Sequence, residues 1–364
     1  MKVALLGAGH IGQTIARLLH GSGDYEVTVF DISTRSLAEL EAQGIATRQL
    51  DTESLRDVAP ALRGQSILVN ALPYHLAIAA ARMAMEAGCH YFDLTEDVTA
   101  TKEIKKMATD AKVAFMPQCG LAPGFIGIVA HHLTKSFDTL HDVKMRVGAL
   151  PEFPTNALKY NLTWSVDGLI NEYCHPCEAI RDEALIDALP LEGLEHFSLD
   201  GIEYEAFNTS GGLGTLCETL QGRVRNLDYK TVRYPGHRDL MQFLLRDLQL
   251  HSDQKQLKDI MRRSMPATMQ DVVLVFVTVS GMKNGILVQE VFARKIFAQR
   301  DGARSLSAIQ ITTAAGICAA VDLFRSGKLP QAGFIPQEHV ALPDFLANRF
   351  GRAYEQSRHI ESVR

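Results

Sequence analysis

Three glycines near the start of the chain, Gly7, Gly9 and Gly12, are spaced as G-x-G-x-x-G. They follow the apolar run KVALL, and a helical pattern over residues 11–20 begins within them. Between a strand and a helix, the first glycine allows a tight turn, the second lets the backbone approach a pyrophosphate, and the third lets the helix pack closely. The pattern predicts a dinucleotide bound at the N-terminal N–H groups of this helix, beside His10 and Ile11.

A carboxylate, Asp31, ends the second strand-like run, EVTVF. At that position it would accept hydrogen bonds from the adenosine ribose and repel a 2′-phosphate, so we predict NAD rather than NADP. Arg35, four residues further on, could instead bind the 2′-phosphate of NADP, but we favour the interpretation that it lies in solvent at the start of a helix. Asp51 follows the weak third strand, ATRQL, and is interpreted equally well as an adenine neighbour or as a helix cap.

The fourth strand-like run, SILVN, ends at the predicted switch point of the sheet, where ligands bind. The residues that we expect to line the nicotinamide side there are Asn70, Ala71, Leu72 and Pro73.

A polar cluster, Thr95, Glu96 and Asp97, follows a further strand, HYFDL, on the cofactor side of the predicted sheet. We assign Thr95 to the cofactor, and Glu96 or Asp97 to accept a proton or to bind an ammonium group. The alternative is a helix cap with acids in the first turn. Cys119 lies where the chain crosses between domains and is either a thiol facing the nicotinamide or a packed small hydrophobe.

Strands alternate with helices up to the segment CGLAPG, which predicts a parallel sheet covered on both faces. Beyond it, strands follow one another without helices, and a hairpin is predicted at Lys283-Asn284-Gly285. An apolar helix over 306–325 is expected to return the chain to the first domain. The fold class is therefore α/β: a discontinuous, doubly wound Rossmann domain (1–123 and 304–345), an inserted α+β domain with an antiparallel sheet (124–303), and a tail (346–364).

Composition narrows the function classes. A formal charge of -5 argues against a nucleic-acid partner, and six cysteines in 364 residues do not form a disulfide scaffold. No charged leader and no apolar stretch of about 20 residues is seen, so we expect a cytoplasmic protein without a membrane segment. The segment Cys174-His175-Pro176-Cys177 lacks a second pair at matching spacing, and we predict no metal site.

Several segments occur together in an order that resembles the saccharopine dehydrogenase family, above all its L-lysine 6-dehydrogenase branch. They are LVNALPYHL, FDLTED, CGLAPGFIGIVAHHL, YNLTWSVDGLINEY, TVRYPGH and GFIPQEHVALPDFL. The resemblance covers nearly the whole chain. It implies that the inserted domain carries the substrate side and a homodimer contact, and that the chemistry is oxidation of a carbon–nitrogen bond in an amino acid.

The resemblance and the demands of that chemistry select further residues. Arg233 would bind a substrate carboxylate through its planar fork, and His237 would carry a proton near neutral pH. A surface ion pair is the alternative for each. The remaining predicted substrate contacts are an apolar wall, a polar contact and a hydroxyl-rich loop, formed by Tyr160, Trp164, Ser165, Thr209 and Ser210.

Together with the preference for NAD predicted from Asp31, the resemblance implies oxidative deamination of the ε-amine of L-lysine, giving a 6-semialdehyde that can cyclise, ammonia and NADH. One alternative is a saccharopine- or carboxynorspermidine-type dehydrogenase, whose substrate has two amino-acid ends and needs a second cationic pocket. The other is a non-catalytic NAD-binding sensor, which would keep the glycines but could lose the polar groups around the nicotinamide.

Overall fold

The computed structural model describes residues 1–50, 58–301 and 304–355. The strands in this part of the chain are β1 Lys2–Leu6, β2 Glu26–Asp31, β3 Ala46–Gln49, β4 Ile67–Asn70, β5 His90–Asp93, β6 Ala114–Met116, β7 Thr139–Pro151, β8 Cys177–Arg181, β9 Ala184–Ala188, β10 Glu195–Leu199, β11 Ile202–Asn208, β12 Val224–Arg233, β13 Asp271–Lys283, β14 Ile286–Phe297, β15 Gln299–Asp301, β16 Arg304–Leu306 and β17 Gly333–Phe334. The helices are α1 His10–Gly21, α2 Thr34–Glu41, α3 Val58–Ala61, α4 Ala77–Ala87, α5 Val98–Ala108, α6 Phe125–Thr134, α7 Val166–Cys174, α8 Leu216–Leu220, α9 His237–Gln242, α10 Gln254–Ser264, α11 Ala308–Arg325 and α12 Leu342–Ala347.

The first of two compact units consists of residues 1–128 and 310–352. Its sheet has the order β17-β6-β5-β4-β1-β2-β3, and every pairing is parallel. Because β1 lies between β2 and β4, the direction in which strands are added reverses there, which creates a switch point at the carboxyl ends of β1 and β4. The predicted doubly wound sheet is confirmed, and the late strand β17 makes it discontinuous in sequence.

Apolar strands form the core of this sheet. Residues 3–6 of β1 and 67–70 of β4 are all buried, as expected for parallel strands that are covered on both faces. The small residues of α4 pack on one face, where Ala77, Ala80 and Ala84 join a buried cluster with Tyr91 and Phe115. This packing fixes the strand ends from which the candidate site is built.

Among the described residues, the second unit consists of 129–301, 304–309 and 353–355. Its eight-stranded sheet has the order β10-β11-β12-β7-β13-β14, with β8 paired to β12 and β9 paired to β8. The predicted hairpin is present: Lys283 pairs with Ile286, and Asn284 and Gly285 have φ values of 53° and 75°.

The predicted α+β unit with antiparallel strand pairs is confirmed, and one pair differs, because β7 and β12 run parallel. The chain between these strands contains α7 and two antiparallel hairpins, β8–β9 and β10–β11. A connection of that length lets β12 return in the direction of β7, which a short turn does not allow. The sheet is therefore mixed.

The unit boundaries lie a few residues later than the sequence suggests. Residues 304–306 pair with β15, and Asp271 accepts the N–H groups of Ala308 and Ile309, so this stretch stays with the second unit. At the other end the first unit continues to Arg352, and Phe350 is buried within the stretch expected to be a tail.

The long helix α11 is apolar on nearly all sides. It is long and apolar enough to cross a membrane by length and composition, but 83% of its apolar window is buried inside the protein. A core helix passes the same test, so the apolar character of α11 is explained by packing. From Gln310 onward the helix belongs to the first unit.

Candidate cofactor and substrate sites

Two of the three glycines are required by the packing of their own loop. Gly7 has a φ of 99°, and a Cβ there would lie 2.8 Å from the carbonyl oxygen of Ala71. A Cβ on Gly12 would lie 2.0 Å from the carbonyl oxygen of Gly7. These glycines therefore let the loop after β1 fold tightly against α1 and the turn after β4.

Packing against the described residues does not require a glycine at the middle position, Gly9. Gly9 has an ordinary φ of -67°, and a Cβ there would meet no described atom within 4 Å. It is exposed at the start of α1, where no side chain caps the helix and no acid occupies the first turn. Together these features leave a cradle that a Cβ would fill and that suits an anion, so the loop fits the predicted dinucleotide, with exposed His10 and half-buried Ile11 at its edge.

The carboxylate of Asp31 braces this loop. One oxygen accepts the N–H of Ala8 at 2.5 Å, and the other accepts the N–H of Ser33 at 2.7 Å. The side chain remains half-exposed, so its outer lone pairs are open to a ribose. Arg35 extends into solvent with 91% of its side chain exposed, 3.6 Å from Glu39. Asp51 lies outside the described residues.

The turn after β4 is shaped by Asn70, which is buried. Its side-chain oxygen accepts the N–H of Leu72 at 3.2 Å, and its amide donates to the Tyr91 hydroxyl at 3.2 Å. Asn70 therefore supports the turn, while half-buried Ala71 and Leu72 and exposed Pro73 form its surface.

A buried carboxyl that the sequence reading missed, Asp93, joins two neighbouring loops. One oxygen accepts the N–H groups of Thr95 at 3.0 Å and Gln118 at 2.8 Å, and the other accepts the Tyr91 hydroxyl at 2.7 Å. Burial raises the pKa of Asp93 to about 6. A signal was available, because Asp93 ends β5 as Asp31 ends β2.

Asp97 is the N-cap of α5, so the helix-cap alternative describes its contacts. Its side chain accepts the N–H of Ala100 at 2.6 Å, and its own N–H donates to the Thr95 hydroxyl at 3.3 Å. Thr95 is buried, so the structure gives it a part in ordering this turn. Glu96 lies between them and is half-buried.

Cys119 is buried, and its thiol donates to the Met116 carbonyl at 3.1 Å. The side-chain amide of Gln337 donates to the same sulfur at 3.3 Å. Burial raises the pKa of this thiol far above its ordinary value. A reactive thiolate at Cys119 is therefore not supported, because the low-dielectric surroundings favour the neutral thiol.

In the second unit, Arg233 ends β12 and is only 2% exposed. Its Nε donates to the Tyr173 hydroxyl at 2.9 Å, and its Nη1 donates to the Val232 carbonyl at 2.8 Å. The guanidinium carbon lies 5.0 Å from the centroid of the Tyr160 ring. The surface ion pair considered for Arg233 is therefore excluded by its burial.

Among the described residues, no carboxylate lies within ion-pair distance, 4.0 Å, of Arg233. Glu172 acts on it only from farther away. The hydroxyl of Tyr160 is also buried, and among the described residues none meets the distance and angle of a hydrogen bond to it, although Thr163 and Trp164 lie near it. A buried cation without an opposite charge beside it is costly, so this cluster suits an anionic ligand.

His237 begins α9 and is 1% exposed. Its Nδ1 lies 2.9 Å from the Leu158 carbonyl oxygen, and its Nε2 lies 3.0 Å from the Tyr173 hydroxyl. Burial and the nearby Arg233 lower the pKa of His237 to about 3. The predicted role as a proton carrier is not supported, because the imidazole is neutral near pH 7 and both nitrogens are occupied.

The turn that carries His237 is held by Glu205, a buried acid that the sequence reading also missed. Its carboxylate accepts the N–H groups of Gly236 at 2.8 Å and Arg238 at 2.6 Å. Gly236 has a φ of 98°, which suits glycine. The signal was a charge inside the apolar run IEYEAF.

Trp164 and Ser165 organise the start of α7. The Trp164 ring lies so close to Gly168 that a Cβ there would be 2.3 Å from it. Ser165 is exposed and caps the helix by accepting the N–H of Gly168 at 3.3 Å. These contacts match a packed aromatic and a helix cap, and none of them involves Arg233.

The loop of Thr209 and Ser210 closes on its own unit. The Thr209 hydroxyl donates to that of Thr231 at 3.1 Å, and the Ser210 N–H donates to the Glu172 carbonyl at 3.0 Å. Both residues are buried, so an open anion-holding loop is not supported at these positions. In the described part of the chain, no group of three His, Cys, Asp or Glu residues is placed to hold a metal ion.

The structure therefore brings the predicted residues together in two sets. The first unit collects the glycine loop, Asp31 and the turn after β4, and the second collects Tyr160, Arg233 and His237 around Tyr173. Fold and site define a two-unit, Rossmann-type dinucleotide-binding protein.

Comparison with models of known protein families identifies the family within this class of dinucleotide-binding proteins. Residues 3–119 match the model of the saccharopine dehydrogenase NADP binding domain, and residues 120–352 match the saccharopine dehydrogenase C-terminal domain. The chain belongs to the saccharopine dehydrogenase family, as its sequence motifs indicated.

The curated relatives match only about half of this chain. A stretch of 194 residues is 23% identical to the mitochondrial alpha-aminoadipic semialdehyde synthase of Rattus norvegicus, covering 51% of this chain and 21% of that protein. The protein of the same name from Mus musculus is 22% identical over 203 residues, again 51% of this chain and 21% of the relative. The chain thus spans about a fifth of the length of these curated relatives.

Solved structures confirm the fold over nearly the full length. Saccharopine dehydrogenase (L-Glu forming) from Saccharomyces cerevisiae superposes with a TM-score of 0.76 at 15% identity, covering 94% of this chain and 96% of the other. The homospermidine synthase of Legionella pneumophila, in complex with NAD, gives a TM-score of 0.69 at 14% identity, covering 97% and 89%.

Proposed function

We propose that the chain is an NAD-dependent amino-acid dehydrogenase that oxidatively removes the ε-amine of L-lysine. The observation that carries this proposal is the buried guanidinium of Arg233, which lacks a carboxylate partner among the described residues. A free amino acid brings such a carboxylate, and the planar fork of arginine matches it with two parallel hydrogen bonds.

The number of unpaired buried cations supports a substrate with one carboxylate. Besides Arg233, the buried cations described in the second unit are Arg146 and Lys230. Arg146 is paired with Asp228 at 2.5 Å and with Glu195, and Lys230 is paired with Glu195 at 2.8 Å. Neither is available to a second amino-acid end, which favours lysine over saccharopine or carboxynorspermidine.

NAD is proposed as the cofactor because of Asp31. Its half-exposed carboxylate stands beside the glycine loop, where it can accept the ribose hydroxyls and disfavours a 2′-phosphate. When bound, the nucleotide supplies the acceptor for a hydride. The cradle at Gly9 and the uncapped start of α1 would hold its pyrophosphate.

In the proposed reaction, hydride leaves the carbon that bears the ε-amine, and water then releases ammonia and the 6-semialdehyde. The amine must first lose a proton, since its ordinary pKa is about 10.4. Glu96, a half-buried acid in the turn between β5 and α5, is the proposed acceptor of this proton.

The test combines substrate screening with substitutions of Arg233. NADH formation is measured with lysine, ornithine, glutamate and saccharopine, and NAD binding is measured by calorimetry. Arg233→Ala is expected to lower kcat/KM for lysine by roughly 30- to several-thousand-fold, as for a charge pair lost from a dry site, while leaving NAD binding intact. Arg233→Lys should recover only part of the loss, because an ammonium cannot reproduce the fork.

Arg225→Ala serves as the control, since Arg225 lies in the same unit with 63% of its side chain exposed. Near-normal kcat/KM in Arg233→Ala would place the carboxylate elsewhere. Joint loss of NAD binding and thermal stability would make Arg233 a structural residue.

A second candidate is an NADP-dependent saccharopine-type dehydrogenase. It is favoured by the family model for residues 3–119, whose description names NADP. Turnover of saccharopine with NADP, without turnover of lysine, would select it.

A further inference from the structure

The hydrogen bonds around His237 have only one consistent direction. A carbonyl oxygen can only accept, so the proton on Nδ1 must point to Leu158, 2.9 Å away. Burial and the positive charge of Arg233 keep the imidazole neutral, so Nε2 carries a lone pair and accepts the Tyr173 hydroxyl at 3.0 Å. The Tyr173 oxygen in turn accepts Nε–H of Arg233 at 2.9 Å.

This direction of the hydrogen bonds fixes the orientation of the Arg233 guanidinium. With Nε donating to Tyr173 and Nη1 donating to the Val232 carbonyl, the plane of Arg233 is held at two points, and its other N–H groups have no partner among the described residues. The ring of Tyr160, 5.0 Å from the guanidinium carbon, supports one face.

Aromatic rings enclose His237, which is only 1% exposed. Its ring packs at 5.3 Å from Tyr160, 5.9 Å from Tyr173 and 6.3 Å from Phe207. The charged groups around this cluster are Arg233, Glu172 and Glu205; of these, Glu205 is bonded to the turn that begins α9.

We infer that His237 is a positioning residue, a fixed neutral imidazole that orders Tyr173 and through it aims the guanidinium of Arg233 at the ligand carboxylate. It accepts one hydrogen bond and donates one, and it transfers no proton during turnover. The effect on amino-acid binding rests on the proposed function, whereas the tautomer and the direction of the relay do not.

The first test is ¹⁵N NMR of histidine-labelled wild-type protein, with the His237 signals assigned by their loss in His237→Gln. We expect a neutral ring with the proton on Nδ1 and no titration between about pH 5.5 and 8.5. A ring that titrates in that range, or that carries its proton on Nε2, overturns the inference. This measurement needs no substrate, so it stands apart from the proposed activity.

The second test compares two substitutions by kinetics and by the ¹⁵N signal of the Arg233 Nε–H, assigned with Arg233→Lys. His237→Phe keeps a ring but removes the acceptor, and should raise KM for the amino acid roughly 10- to 100-fold with a smaller change in kcat, as for a lost hydrogen bond next to a charge. It should also shift the Nε–H signal. His237→Gln retains an acceptor and a donor, so its KM for the amino acid and its Arg233 Nε–H signal should both lie closer to the wild-type values than those of His237→Phe.

His251→Gln is the control, because His251 also bonds a backbone carbonyl, that of Leu245 at 2.8 Å, but does not contact Arg233. His251→Gln should change neither the KM for the amino acid nor the Arg233 Nε–H signal. A large fall of kcat with unchanged KM in His237→Gln would make His237 a proton carrier and overturn the inference. If the NMR results hold but no amino acid is oxidised, the relay stands and the proposed function fails.

Discussion

Replacement of Asp31 by asparagine isolates the charge that we hold responsible for cofactor choice. Both oxygens of Asp31 accept backbone N–H groups, at 2.5 Å from Ala8 and 2.7 Å from Ser33. Asparagine keeps one acceptor and loses the charge, so NAD affinity itself should fall somewhat as the loop loosens. The informative quantity is therefore the ratio of the two dissociation constants, Kd for NADP over Kd for NAD.

The size of the effect follows from Coulomb's law. Asp31 is half-exposed, so water largely screens it, and two unit charges at 4 Å then repel by about 1 kcal/mol. A phosphate monoester carries close to two charges near neutral pH, which gives about 2 kcal/mol. Since 1.4 kcal/mol corresponds to tenfold, the ratio should fall roughly 30-fold in Asp31→Asn at low salt, and by less at high salt.

Calorimetric titration of both nucleotides measures the ratio. Arg35→Ala should leave it unchanged in the wild-type background, because Arg35 is 91% exposed and Asp31 repels the phosphate that it would bind. In the Asp31→Asn background the same change should weaken NADP binding. Equal affinity of the wild type for both nucleotides, or a ratio unaffected by Asp31→Asn, would refute the reasoning.

Three other predictions follow from single features. Gly9→Ala should weaken NAD binding at least about tenfold in calorimetry while leaving the melting temperature unchanged, whereas Gly12→Ala should lower the melting temperature, because only the second Cβ collides with protein atoms. Asp93 has a folded-state pKa of about 6 against an ordinary 3.8, so the folded protein holds this proton more tightly. Relative to Asp93→Asn, the wild type should therefore lose about 3 kcal/mol of unfolding free energy as the pH rises from about 3 to about 7, and a constant difference in urea unfolding would contradict this. We predict a homodimer that uses the edge strand β14, where Leu287 and Val291 are 63% and 51% exposed. Sedimentation should show a dimer for the wild type and a monomer for the double variant Leu287→Lys/Val291→Lys. A monomeric wild type would refute this prediction.

The glycine loop, the position of Asp31 and the alternation of strands with helices were predictable because local sequence determines them. A glycine spacing, a polar residue at a strand end and a hydrophobic period are each read from a few neighbouring residues. The parallel pairing of β7 with β12 was not predictable in this way, because it depends on how a long connection returns.

Residue roles in the second unit were predicted less well for a related reason. Arg233 was selected by residue type and stays a prediction, whereas the hydrogen bonds of His237 involve Leu158 and Tyr173, which lie far from it in sequence. Glu205 and Asp93 could be noticed as acids at a strand end or inside an apolar run, but the backbone N–H groups that they bind are brought near only by folding. The chemistry of a buried side chain is set by its partners, and sequence alone names the candidates without pairing them.

The late strand β17 has a consequence for how the protein is made. A chain emerging from the ribosome presents β1 to β6 first, but the strand that pairs with the outer edge of β6 arrives only after the whole second unit has been synthesised. Until then, the hydrogen-bonding groups of β6 on that side and the apolar surface reserved for α11 have no intramolecular partner. The first unit therefore cannot complete its sheet until the second unit has been synthesised, and over that interval the open edge of β6 is exposed to pairing with other chains.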